Sequence, residues 1–284
     1  VLNRLPVALA TPSLYTLYHP PPRLDGSLVI AISQSGESTD ILAVVEEARG
    51  QNVPTLAVTN FENSPIARAA DFVIPQHAGE EKTIAATKTF TTQLGALALF
   101  SVAFARDEAR RRELAGVSDA VARTIVLASV AEEAARRWRT QSTCLVIGRG
   151  YNYATAFEIA LKLKELAYVT AEPFSSADFM HGPIAVIQQG FPVIVIAPRG
   201  AVYEGLIKVT QELGDRGADL AIISDAAEAL RRGAVALKMT AGLPEWLSPI
   251  AAVVPGQLLA YHLTAAKGYD PDHPRGLTKV TRTL

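Results

Sequence analysis

Chemistry in this sequence of 284 residues is concentrated in a few short stretches. The stretch Ser33-Gln34-Ser35-Gly36-Glu37-Ser38-Thr39-Asp40 sets hydroxyl side chains around a glycine. An apolar run ending at Ile32 precedes it. After it, Ile41, Val44, Val45 and Ala48 recur at helical spacing. The first N–H groups of a helix are unpaired and carry partial positive charge. Gly36 lets the backbone come close to a ligand. Ser33, Ser35, Ser38 and Thr39 add neutral donors, so the stretch reads as a cradle for a small monophosphate. It lacks the GxxxxGK[ST] pattern, which argues against nucleoside triphosphate chemistry. An ordinary helix cap needs only one hydroxyl.

The spacing predicts a second helix from about Ala154 to Val169, with Ile159, Leu163 and Leu166 as its core stripe. Glu158, Lys162 and Glu165 share an adjoining face, which the pattern alone reads as a solvated ladder of ion pairs. His181 precedes Gly182-Pro183, a turn dipeptide that keeps its imidazole off regular structure. A histidine there can exchange protons near neutrality or simply be structural. Gly148-Arg149-Gly150 loosely imitates a dinucleotide loop, but the GxGxxG spacing is absent and tight strand-to-helix packing explains it better. The other histidines, His19, His77, His262 and His273, show no metal-ligand spacing, so no metal is expected.

These residues need a scaffold, and the alternation of elements supplies one. Strands are expected at Val7–Ala10, Leu28–Ile32, Thr55–Val58, Phe72–Ile74, Cys144–Ile147, Val193–Ala197 and Leu220–Ile223, with amphipathic helices among them. The fold class is therefore α/β, with parallel sheets flanked by helices. A long helical stretch runs from about Thr87 to Arg139. It contains Leu94–Ala105, read as a buried helix, and the charged run Arg106–Glu113, read as a solvated face or a turn. Residues 1–140 are expected to form a first domain with connecting helices, and 141–284 a second domain with a C-terminal tail. An internal repeat supports this division: residues 5–33 and 167–198 share the order short strand, polar segment, turn, buried strand. The second copy is preceded by a further strand, Gly loop and helix. The first domain is accordingly expected to lack its opening strand and helix.

Hydrophobic residues make up 49% and charged residues 19%, enough for a sizeable core. With 27 basic and 28 acidic residues the net charge is -1. No footprint for nucleic acid or an acidic membrane follows from that balance. The single cysteine, Cys144, fits a core thiol in a reducing compartment. No apolar run approaches the roughly 20 residues of a membrane span, and a cytoplasmic protein is expected.

The stretch SQSGESTD after an apolar strand resembles the phosphosugar-binding signature of the sugar isomerase (SIS) domain. With ATKTFTTQ at 86–93, ALKLKE at 160–165, HGP at 181–183 and PRGLTK at 274–279, the whole chain is similar to the double-SIS family. That family contains the isomerase portion of glutamine–fructose-6-phosphate aminotransferase and related glucosamine-6-phosphate deaminases. The resemblance implies two doubly wound SIS domains and no cofactor. It implies Glu165 as the base moving a proton between C1 and C2, with Lys162 beside it. His181 would open the sugar ring, reaching in from a neighbouring subunit, so a homodimer with a composite active site is expected. Lys279 would form a Schiff base with the open-chain ketose. Ser33, Gln34, Ser35, Ser38, Ile84 and Thr278 would bind the phosphosugar. Ala86 stands where the aminotransferase usually has a second hydroxyl, which favours the deaminase branch. Interconversion of glucosamine 6-phosphate and fructose 6-phosphate with free ammonia is the implied activity. The alternatives are a fragment of the glutamine-dependent aminotransferase, a fructosamine-6-phosphate deglycase, or a non-catalytic sugar-phosphate sensor.

Overall fold

The computed structural model describes residues 1–278. Contacts divide the chain into two compact units, the first Val1–Asp107 together with the described residues from Gly276 on, the second Glu108–Arg275, so the helices between residues 108 and 138 group with the second.

The first unit holds the short helix α1 (Ser13–Thr16), β1 (Val29–Ser33), α2 (Thr39–Gly50), β2 (Thr55–Thr59), α3 (Pro65–Ala69), β3 (Phe72–Pro75) and α4 (Lys88–Ala105). Its strands form a parallel sheet in the order β1-β2-β3, with Ile30 opposite Leu56 and Ala57 opposite Val73. The central strand β2, Thr-Leu-Ala-Val-Thr, is buried along its whole length, as a parallel strand covered on both faces should be. Its Thr55 hydroxyl donates to Asp71 at 2.8 Å. Ala31, Val45, Ala57 and Ile66 form the tight core.

Two expectations for this unit are corrected. Val7–Ala10 is not a strand, and Val7 and Leu9 are 93% and 98% exposed. A strand exists only by pairing, and among the described residues nothing pairs with this segment. Leu94–Ala105 is helical but not buried. Along α4 only Thr89 and Val102 are buried, while Leu99 and Phe104 are exposed. Its composition is apolar all round, but the small sheet beside it covers little of its surface.

The second unit opens with α5 (Glu108–Ala115), α6 (Val117–Leu127) and α7 (Ala131–Trp138). The charged run is partly the solvated helix α5, which buries none of its residues. There follow β4 (Thr143–Gly148), α8 (Tyr153–Ala167), β5 (Thr170–Ser175), α9 (Ser176–Met180), β6 (Pro192–Ile196), α10 (Tyr203–Asp215), β7 (Asp219–Ser224), α11 (Ala227–Leu230), β8 (Val235–Lys238) and α12 (Ser248–Ala266). All strands are parallel, in the order β5-β4-β6-β7-β8. Proline opens β6, the one strand position where its missing N–H costs least. Gly148 ends β4 because a Cβ there would lie 2.3 Å from the Asn152 carbonyl oxygen. The glycine loop is thus a packing device between β4 and α8. α12 is buried almost end to end and packs on α8 and α7. No single helix among the described residues is long and apolar enough to cross a membrane.

Candidate functional site

In the first unit the hydroxyl stretch closes β1 and starts α2. Ser33 is buried, and its Oγ accepts the Gly36 N–H at 3.1 Å. Ser35 Oγ accepts the Glu37 N–H at 3.2 Å. Each hydroxyl has spent an acceptor lone pair and keeps an O–H to donate. Ser38 occupies the N-cap position of α2 yet makes no side-chain cap bond, so the ordinary cap reading does not describe it. The Gln34 carbonyl accepts the Asn60 N–H at 3.1 Å, and the Gly36 carbonyl accepts the Ile66 N–H at 3.1 Å, tying the loop to its neighbours. Gly36 has φ +67°, and a Cβ there would fall 2.1 Å from Ser64 Oγ. The loop therefore needs glycine on two counts. Acidic groups sit in the same turn: Asp40 Oδ1 accepts its neighbour's N–H, from Ile41, at 2.8 Å.

Beside this loop, at the carboxyl ends of β2 and β3, Asn60, Phe61, His77, Gly79 and Glu80 line a cavity of about 410 Å³. Ligands of open parallel sheets bind at that end. Ile84 lies half-buried in the following loop. Glu81 accepts the backbone N–H groups of Thr87 and Thr89 at 3.2 Å each, fixing the start of α4.

In the second unit Glu158, Lys162 and Glu165 of α8 come together. Lys162 Nζ lies 2.5 Å from Glu165 Oε2 and 3.9 Å from Glu158 Oε1. The side chains of Lys162 and Glu158 are 4% and 6% exposed, that of Glu165 25%. The solvated-ladder reading is therefore wrong for this face. Burial pushes the Glu158 carboxyl up to about 7, against the pull of Lys162. Gln257 Nε2, on α12, is 3.5 Å from the same Glu158 oxygen. Helix α12 comes this close because Gly256 faces Ile159, whose Cδ1 would be 2.3 Å from an added Cβ.

His181 is exposed at the end of α9 and donates its backbone N–H to Asp178 at 3.1 Å. Gly182 follows with φ +149°, which takes the chain out of regular structure as the turn dipeptide foretold. Thr278 is exposed. Lys279 lies outside the described residues. Just upstream, Arg275 stacks on Tyr168, its Cζ 3.8 Å from the ring centroid, and on Tyr269 at 4.9 Å. Its backbone N–H donates to Tyr168 Oη at 2.7 Å. This clasp, like Gln257, escapes sequence reasoning: its members are far apart along the chain and no local pattern links them.

The counterpart of the hydroxyl loop in the second unit is Pro198-Arg199-Gly200-Ala201, before α10. Ala201 N–H donates to Glu245 Oε2 at 2.8 Å, and a Cβ on Gly200 would lie 2.3 Å from the Glu245 Cδ. A carboxylate of the chain itself occupies this turn. Cys144 is buried on β4, and burial pushes its thiol up to about 12. Among the described residues no group of three His, Cys, Asp or Glu side chains gathers as a metal set would.

A family model described as SIS domain matches residues 22–103 and 139–267. A glutamine–fructose-6-phosphate aminotransferase [isomerizing] of Thermococcus kodakarensis is 40% identical over 90% of the chain and 44% of its own length. One with the same name from Mycobacterium tuberculosis is 39% identical over 98% of the chain and 46% of its own length. The chain thus spans about half the length of the curated relatives it matches. Among solved structures, the C-terminal domain of glucosamine-fructose-6-phosphate aminotransferase from Francisella tularensis superposes with a TM-score of 0.84 at 32% identity, over 90% of this chain and 75% of that one. A glucosamine-6-phosphate deaminase from Thermotoga maritima gives 0.75 at 21% identity, over 95% and 80%. At that identity the second structure speaks for the fold alone.

Proposed function

The chain belongs to the SIS domain family, and from that premise we propose that it isomerises a hexose 6-phosphate of the fructose/glucosamine pair, in the manner of the isomerase half of the aminotransferase. The observation that carries this reading is the state of Glu165. Its carboxylate is backed by Lys162 at 2.5 Å and is still 25% exposed, so it can meet a substrate while a cation holds its orientation. Ser33, Gln34, Ser35 and Ser38 hold the phosphate, with Ile84 and Thr278 beside the sugar. His181 gives a proton to the ring oxygen as the ring opens. Lys279 condenses with the C2 carbonyl and water leaves; ammonia then displaces the lysine to give the substrate's own imine. Glu165 removes the C1 proton and returns it to C2, giving the amino aldose. A homodimer in which His181 is shared between subunits completes the reading.

The comparisons favour the aminotransferase branch over the deaminase that Ala86 suggests. The relatives named for it reach 37–40% identity, whereas the deaminase structure shares 21%. The test is solvent hydrogen exchange at C1 of fructose 6-phosphate in deuterated water, followed by NMR. Wild-type protein should incorporate deuterium. Glu165→Gln should slow incorporation by about 10²–10⁴-fold, the usual worth of a positioned base, while still binding the sugar phosphate. Binding without exchange in the wild type would make the protein a sensor and sink the proposal.

A further inference from the structure

The base proposed above has a second carboxylate behind it, and the geometry gives that group a task. Lys162 and Glu158 lie one helical turn apart, and both are all but sealed from water. While Glu165 is ionised, Lys162 is satisfied at 2.5 Å. Once Glu165 has accepted a proton, the ammonium faces an interior with its near partner neutralised, a state that buried cations tolerate poorly. Glu158 Oε1, 3.9 Å from the same ammonium, is within reach of a small swing of the lysine side chain. Gln257 holds that oxygen from α12 at 3.5 Å.

We propose that Glu158 is a positioning residue, the alternate counter-ion that takes over Lys162 whenever Glu165 carries a proton. The charged groups acting on it are Lys162 and Glu165 from its own helix, and the group facing it from α12 is the neutral Gln257. Its carboxyl, pushed by burial to about 7, can ionise in response to a neighbour at physiological pH. The kinetic consequence rests on the function proposed above; the exchange of partners does not.

The experiment therefore has two arms. In the first, ligand-free protein labelled with ¹³C at the glutamate carboxyl groups is titrated by NMR. Glu165→Gln mimics the protonated base and should lower the Glu158 midpoint by at least about one pH unit. In a Lys162→Met background the same substitution should lose most of that effect, as a coupled pair requires. An unchanged Glu158 midpoint in Glu165→Gln, or an equal change without Lys162, overturns the proposal. In the second arm, Glu158→Gln should lower kcat at least tenfold with KM within about twofold, and Glu158→Asp should recover part of the loss. The wild-type kcat should rise through pH 7 and then flatten, and Glu158→Gln should lack that rise. Wild-type kcat and pH profile in Glu158→Gln would overturn the proposal. If nothing turns over but the midpoint moves as described, the partner exchange stands and the assigned reaction falls.

Discussion

At the scale of single residues, the most informative group is a carboxyl that titrates away from its ordinary range. Glu158 is lifted from 4.5 to about 7, first by burial and only then adjusted by its neighbours. The folded state consequently holds this proton more tightly than the unfolded chain does. Its contribution to stability is full below about pH 4.5 and is lost as pH rises through about 7, some 3 kcal/mol in all. Chemical denaturation at about pH 5 and pH 8 should show that loss, and Glu158→Gln should reduce it. A slope of the opposite sign would mean that Glu158 is ionised and paired throughout. The hydroxyl loop makes its own statement at this scale. Ser35→Ala removes one O–H donor and should weaken sugar-phosphate binding about 10- to 150-fold, the worth of a hydrogen bond to a charged group. Isothermal titration would check it. The residue types of both clusters can be read in the sequence, because a run of hydroxyls and an i, i+4, i+7 pattern are local. What the sequence does not show is that the α8 face is buried, since that depends on α12 arriving from about a hundred residues away.

Elements position these groups through close approaches that only glycine allows. The contact of α12 with α8 passes through Gly256 against Ile159, and Gln257 follows directly. Gly256→Val should force these helices apart, costing about 1–3 kcal/mol as overpacking does. It should also move the Glu158 titration, because Gln257 withdraws with the helix. Thermal melts with the carboxyl NMR titration would measure both, and an unchanged Glu158 would show the helix to be irrelevant to the cluster. Most strands were legible from short β-branched runs: Val193–Ala197 falls on β6, and Leu220–Ile223 on β7. The failures share a cause. Val7–Ala10 has the composition of a strand but no partner among the described residues, and β8, Val-Ala-Leu-Lys, has a partner in β7 but too little pattern to be seen. Pairing is a tertiary fact that local composition does not carry. The same holds for α4, whose apolar run says nothing about how much neighbouring surface there is to cover it.

For the molecule as a whole, the two units differ in how well they are filled. The tight core of the first rests on Ala31, Val45, Ala57 and Ile66, and Ile30 and Ile32 on β1 remain 37% and 39% exposed. The second gathers Leu145, Ile147, Val193, Val195, Leu206 and Ile222 among many others. Local opening follows buried apolar contact. Amide hydrogen exchange should therefore be faster in β1, β2 and β3 than in β4, β6 and β7, and equal protection would refute the comparison. A bound sugar phosphate should slow exchange around the hydroxyl loop of the first unit and around Glu165 of the second. The chain also repeats a strand, a turn and a helix, and in the repeat Glu245 sits against the Ala201 N–H. That carboxylate is a permanent tenant, and its address is the one a phosphate would otherwise seek. Duplication of an architecture thus does not double its appetite: calorimetry should count a single hexose phosphate per chain, and a stoichiometry of two would show that the tenant can be evicted.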